Sequence, residues 1–290
     1  MNREISVRKN VITLFVMLLA SVVILLPFFV MVCTSLKTPK EIQTADFRMF
    51  PEIPQWHNYP DAMAASSWNL FFKNSVLVTV LSILTSLVIN SMAGFAFARM
   101  NFRGRDTLFF LALTGMMMPI QVTMLPNFVM MKFFPLAGGN NLYGQGGTGL
   151  INTYLGLLAP NIAGAFGVFL FRQFFMNFPR SLDDAAKIDG LSRIGSLVRI
   201  YVPLSLPVFA TLIVLKATAT WNEYISPLIV TTKKEMWTVQ LALTVYRTEF
   251  NTQWHLLMAA TGLIMLPIFV LYLFMQKYFV EGIASTGIKG

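Results

Sequence analysis

The sequence predicts an all-α integral membrane protein with six transmembrane helices, and three observations carry that reading. Of its 290 residues 56% are hydrophobic and only 12% charged, about half the charged share of a soluble domain. Six continuous apolar runs cover residues 11–33, 73–98, 107–133, 151–175, 204–230 and 255–278. At a rise of 1.5 Å per residue each is long enough for a hydrocarbon core of about 30 Å, with room for tilt. The runs do not alternate apolar with polar residues, as the strands of a β-barrel would. Helices close their backbone hydrogen bonds internally and are the form such runs take in lipid.

The first run follows Arg3, Arg8 and Lys9. It is longer than the 7–15 residue core of a signal peptide and no small-x-small cleavage pattern directly follows, so it is expected to stay as a span. Lys and Arg then set the orientation. With the N-terminus inside, thirteen fall in cytoplasmic pieces and six (Lys37, Lys40, Arg48, Lys233, Lys234 and Arg247) in the opposite loops, while Lys73 and Lys132 sit near span ends and can snorkel. Both termini are therefore expected in the cytoplasm, and residues 1–290 are read as one membrane domain. The net charge of +9 is scattered between apolar runs and suits anionic headgroups better than nucleic acid, which is not expected as a partner. A lone cysteine, Cys33, excludes an intrachain disulfide.

Three connectors are expected outside. Residues 34–72 carry four prolines with Trp56, Tyr59 and Trp68 and read as an ordered segment at headgroup level. Residues 134–150 hold six glycines and no charge and read as a flexible loop. Residues 231–254 hold Trp237, Tyr246, Phe250 and Trp254.

The longest inner connector, residues 176–203, has helix signals. Pro179 and Ser181 mark a start, Asp183 and Asp184 suit the first turn, and Gly190 breaks the helix. Leu191, Ile194, Leu197 and Val198 then recur at helical spacing. Asp189 is expected to cap this second helix. Such a hairpin either lies on the inner leaflet or docks into another protein.

The stretch Asp184-Ala185-Ala186-Lys187-Ile188-Asp189-Gly190, with Ile200, Pro203 and Pro207, resembles the cytoplasmic Glu-Ala-Ala signature of bacterial ABC importer permeases. Asp184 stands where Glu is usual, Leu191 where Ala is frequent and Leu197 where Phe is frequent. Arg99 with Phe102-Arg103-Gly104-Arg105, Pro119 with Gln121, Val122 and Pro126, and Asn152-Thr153-Tyr154 with Gly156, Leu157 and Pro160 resemble the carbohydrate, maltose-transporter (MalG-like) branch. So do Trp221-Asn222-Glu223-Tyr224 with Pro227-Leu228, and the run Gln276–Gly282. The 134–150 segment is longer than is usual there.

The resemblance implies a type I ABC importer permease fold, with residues 181–200 as coupling helices docked to the ATPase through Asp184, Ala185, Ala186, Asp189, Gly190, Pro203 and Pro207. It implies a second homologous permease, two ATPase subunits and an extracellular or periplasmic solute-binding protein in a bacterial inner membrane. The tail from about residue 279 would reach the ATPase dimer interface, and the 231–254 loop, with Trp237 and Tyr246, would meet the binding protein. ATP and magnesium would sit in the partner subunits, since this chain carries no Gly-x-x-x-x-Gly-Lys-[Ser/Thr] loop. No enzyme activity, cofactor or metal is expected here: His57 and His255 have no cysteine or close carboxylate pair at ligand spacing.

Polar residues inside spans are costly unless they face protein or a water-filled path. Trp221, Asn222, Glu223, Tyr224, Gln121 and Asn161 are on these grounds candidates for a translocation path, with Asn90, Arg99, Asn127 and Lys132 as further polar positions; Trp221–Tyr224 could equally organise a kink before Pro227. Import of a glycerol-phosphate-type or other polar solute is the neighbouring alternative. An ion-coupled carrier leaves the 181–207 signature without a use, and a membrane enzyme lacks clustered catalytic residues.

Overall fold

The computed structural model describes residues 2–287 apart from Ala45, Phe47, Glu249 and Phe250, with side chains over residues 11–276. Among the described residues there is no strand beyond an isolated bridge between Arg247 and Thr252. Three helices are long and apolar enough to cross a membrane unbroken: α1 (Asn2–Ser35), α4 (Trp68–Arg99) and α15 (Trp254–Gly287). Three further crossings are bent pairs, which brings the total to six when each pair counts as one.

By internal contacts the chain divides into two compact units, residues 1–68 with 243–266 and residues 69–242 with 267–290. In the first unit the connector after α1 is ordered, as expected. A capping box between Thr38 and Glu41 starts α2 (Pro39–Gln43), and the Asn58 amide donates to the Ser35 and Lys37 carbonyls at 2.8 and 3.0 Å at the start of α3 (Asn58–Ala64). Along α1 the apolar side chains from Val11 to Leu26 are exposed, a surface that only lipid or another protein can cover.

The second unit packs α4 against α8 (Ala165–Met176). Gly94 lies against Phe171, and Gly167 against Asn90, so closely that a Cβ at either would clash. Asn90, 1% exposed, accepts from the Gly164 N–H at 3.2 Å and donates to Ser86 at 2.6 Å. It is helix–helix glue.

Each bent pair has a local cause. In the third crossing α5 (Arg105–Thr114) ends in a 3₁₀ turn (Gly115–Met117), Met118 and Pro119 are extended, and α6 (Ile120–Lys132) leaves at 105°. Proline pushes its predecessor out of the helical region. In the fourth, α7 (Tyr154–Leu158) and a 3₁₀ turn holding Pro160 meet α8 at 45° across extended Gly164. The fifth turns by 83° at Ser205, between α11 (Val202–Leu204) and α12 (Leu206–Trp221), flanked by Pro203 and Pro207. It stops again at Asn222–Tyr224 before α13 (Ile225–Val230). The continuous helices expected over 107–133, 151–175 and 204–230 are thus broken.

Candidate functional site: the coupling segment and the membrane cavity

Residues 181–200 form two short helices joined at Gly190. The first, α9 (Ser181–Ile188), carries Asp183 and Asp184 in its first turn, where the helix dipole favours negative charge. Gly190 has φ +71° and open space around it, so glycine is required by backbone conformation and not by crowding. The second, α10 (Arg193–Ser196), is capped by Ser192, whose hydroxyl accepts from the Gly195 N–H at 3.1 Å. Asp189 does not fill that place: it stands exposed at the C-terminal end of α9. After α10 the helix widens into a π turn (Leu197–Tyr201), an uncommon form often found at functional positions.

The hairpin has an inner and an outer side. Ala186 and Leu197 are buried, whereas Asp184, Ala185, Ile188, Ile194 and Val198 are exposed, Ile188 at 87%. Ile188, Ile194 and Val198 together leave this outer side with bare aliphatic side chains, a candidate contact surface.

The inner side rests on α4 and α8. Phe95, Phe171, Phe175, Leu197, Tyr201, Val208 and Leu212 make one buried cluster, with edge-to-face ring pairs among Phe95, Phe175, Phe178 and Tyr201. At its rim lies Arg99, the last residue of α4, with its side chain only 6% exposed. Its Nε donates to the Tyr201 hydroxyl at 2.6 Å, and its two terminal nitrogens donate to the Phe178 and Pro179 carbonyls at 3.1 and 3.0 Å. Asp183 completes the group, 3.1 Å from Arg99 and accepting from the Tyr201 O–H at 2.6 Å. Arg99 and Asp183 stood apart in the sequence reading, as a loop cation and a helix-start acid, and Tyr201 was not singled out. A tyrosine among aliphatic neighbours, one helical turn beyond the Leu197–Val198 pair, was the available signal.

In the membrane part a cavity of about 240 Å³ lies between the breaks of three crossings, lined among others by Met118, Met124, Asn127, Asn161, Glu223 and Ser226. Asn161 and Glu223, predicted for the path, do meet here with Asn127. Glu223 also accepts from the Ser226 N–H at 3.0 Å and so starts α13. Trp221 is 4% exposed with its ring tilted on Phe72, and Asn222 donates back to Thr218 at 2.9 Å. Gln121 and Tyr224 are exposed and outside the lining. Lys216, absent from the predicted set, donates to Asn161 at 3.4 Å. A lysine inside the fifth apolar run was the missed signal.

The connectors expected outside are tightly tied. Asn140 donates to the Lys132 and Phe134 carbonyls at 2.9 and 3.0 Å and accepts from Gly147 at 2.8 Å. Gly144 and Gly149 take positive φ where a Cβ would strike the carbonyls of residues 131–133. The segment read as flexible is a wound loop with its own hydrogen bonds. Asn152 (φ +58°) accepts from the Thr232 and Lys233 N–H groups at 2.8 and 2.9 Å, and Asn74 donates to the Glu235 and Trp237 carbonyls at 2.8 and 2.9 Å while accepting from the Tyr154 hydroxyl at 2.8 Å. Trp237 is half-buried against Phe71. Tyr246, expected to face a partner, is 1% exposed, stacked on Trp68 and donating to the Ala62 carbonyl at 2.5 Å. It serves its own unit. The tail beyond residue 279, expected at the ATPase dimer interface, and Phe250 of the third connector lie outside the residues with described side chains.

Comparison with known proteins decides the family. Residues 88–285 match the binding-protein-dependent transport system inner membrane component. The chain belongs to that family. It is also 32% identical to the arabinooligosaccharides transport system permease protein AraQ of Bacillus subtilis (strain 168), over 99% of this chain and 98% of that one. The lactose transport system permease protein LacG of Rhizobium radiobacter is 28% identical, over 96% of each chain. Among solved structures, a chain of a bacterial ABC transporter involved in import of the acidic polysaccharide alginate superposes with a TM-score of 0.78, covering 93% of this chain and 96% of that one at 20% identity. This permease therefore has the ABC importer permease fold. It is a multi-pass membrane component of a transport complex, and the 181–207 signature lies inside the matched region.

Proposed function

We propose that this chain, as a single permease domain, is one half of the transmembrane path of an ATP-driven importer for a carbohydrate, an oligosaccharide or related sugar. The observation that carries the sugar class is end-to-end similarity to AraQ, a permease named for arabinooligosaccharides. The cavity chemistry agrees with it: amides at Asn127 and Asn161 and a carboxylate at Glu223 can hydrogen-bond hydroxyls, and Met118 and Met124 offer adaptable apolar contact.

A second homologous permease would close the path and cover part of α1. Two ATPase subunits, which bind ATP and magnesium, would dock from the cytoplasm on the exposed face of Asp184, Ala185, Ile188, Ile194 and Val198. Hydrolysis belongs to those subunits and this chain is non-catalytic. The Lys and Arg distribution supports both termini in the cytoplasm of a bacterial inner membrane. A solute-binding protein outside would meet the 231–254 connector at its exposed turn Thr232–Glu235, beside Trp237, with Tyr246 holding the connector's far end from within.

The test is uptake by proteoliposomes holding the assembled importer and its binding protein. Labelled arabino-, malto- and galacturono-oligosaccharides, lactose and glycerol phosphate are offered singly. ATP-dependent accumulation of at least one sugar is expected. Accumulation of glycerol phosphate alone would overturn the sugar reading.

A further inference from the structure

We propose that Arg99, Tyr201 and Asp183 form a strut that makes the coupling hairpin and α4 move as one body, so that they are positioning residues for energy transfer. This rests on the reading of residues 181–200 as the ATPase docking segment.

The geometry is that of a clamp. One guanidinium holds the approach to the hairpin through the Phe178 and Pro179 carbonyls at 3.1 and 3.0 Å, the first turn of α9 through Asp183 at 3.1 Å, and the π turn beyond α10 through Tyr201 at 2.6 Å. The Tyr201 O–H closes the ring by donating to Asp183 at 2.6 Å. Both arms of the hairpin are therefore fixed to the end of α4, a helix of 32 residues. The exposed face of Ile188, Ile194 and Val198 is free of the clamp.

An apolar core alone could have packed the hairpin against α4, since Phe95, Phe175 and Leu197 already do so. Hydrophobic burial resists separation but is non-directional, and the edge-to-face ring pairs add only a weak orientational hold. A planar guanidinium with four separate acceptors fixes orientation as well. A push received at Ile188 would otherwise be absorbed by a tilt of the hairpin on its greasy seat. With the strut in place it becomes displacement of α4.

The test uses the complete importer in proteoliposomes. Tyr201→Phe keeps the ring in the aromatic cluster and removes only the hydroxyl; Asp183→Asn keeps the shape and removes the charge. Each variant is normalised to assembled complex, and sugar accumulated per ATP hydrolysed is measured with the labelled oligosaccharide mixture. Cross-linking of Ile188→Cys to the ATPase subunit is followed in parallel. The expected result is an unchanged cross-link, at least threefold less sugar per ATP in either variant, and no further loss in the double variant, as for residues acting through one unit. A purely structural role would lower the amount of complex and leave sugar per ATP unchanged, which would overturn the strut. Failure of the Ile188→Cys cross-link in the otherwise unaltered complex would instead overturn the docking reading, and the strut with it.

Discussion

Gly190 shows how much one residue's backbone can decide. Its φ of +71° suits glycine, and nothing stands within 4 Å of a Cβ built there, so alanine would meet strain of about 1 kcal/mol and no clash. Aspartate at the same place adds a second negative charge beside Asp189, next to the proposed docking face. Gly190→Asp is expected to insert and assemble at normal levels while hydrolysing ATP without uptake. Unchanged sugar accumulation at equal complex levels would contradict it. Glu223 is the corresponding position in the membrane. Its carboxylate both faces the cavity and caps α13, and glutamine can keep the cap where alanine loses cap and contact together. Losing about 1 kcal/mol of hydrogen bonding corresponds to roughly a fivefold effect. Glu223→Ala should therefore reduce uptake by about fivefold or more and Glu223→Gln by less, in a transport assay at matched expression; equal uptake in all three would remove the residue from the path. Both positions were legible in the sequence because Asp189-Gly190 is a turn signal at the end of a helix pattern and Glu223 is an acid inside an apolar run. Tyr201 was not, since its role exists only once Arg99, about a hundred residues earlier, is folded against it.

At the scale of elements, the Gly-rich loop 134–150 gives the sharpest difference between composition and structure. Six glycines read equally well as freedom and as tight winding, and sequence spacing does not separate the two. The structure chooses winding: Asn140 makes three side-chain hydrogen bonds to backbone groups of Lys132, Phe134 and Gly147, and Gly149 turns where a Cβ would strike the Met131 and Lys132 carbonyls. Hydrogen exchange should find the Gly147 and Leu150 amides protected, because they donate to Asn140 and to the Met131 carbonyl at 2.8 Å each. Asn140→Ala should abolish protection at Gly147, and rapid exchange there in the unaltered protein would contradict the wound loop. The broken crossings were half legible. Pro119, Pro160 and Pro207 announce the places, but hydropathy reports only that a stretch is apolar, so 107–133 and a helix bent by 105° look alike. The break at Asn222–Tyr224 has its own logic, since Glu223 supplies the N–H acceptor that restarts the helix before Pro227.

For the whole molecule, the six apolar crossings and the helical hairpin turning at Gly190 were readable because apolar length and the 181–207 pattern are local in sequence. The ties that order the connectors were not, because they join residues far apart, as Asn74 joins Glu235 and Asn152 joins Thr232. These bonds fix the start of the 231–254 connector to α4 and to the segment that leads into α7, so a contact made there by the proposed binding protein would bear on both. Asn152→Ala removes the acceptor for two backbone N–H groups and puts alanine where asparagine tolerates the left-handed conformation better, a combined cost of about 2 kcal/mol. It is expected to weaken stimulation of ATP hydrolysis by the loaded binding protein, whereas Asn152→Gly, which loses the same acceptor but relieves the backbone, should cost complex stability less. The account as a whole depends on force entering through Ile188 and its neighbours. Its most direct measurement is site-specific cross-linking in the assembled importer, with the lone native Cys33 replaced by serine and Ile188→Cys or Ile194→Cys introduced. The account predicts a disulfide, reversible by reductant, from both positions to an ATPase subunit given one engineered cysteine in its docking cleft and treated with a mild oxidant, and labelling of both only from the cytoplasmic side. Labelling by an impermeant thiol reagent from outside, or no product with any ATPase in an actively transporting complex, would contradict it.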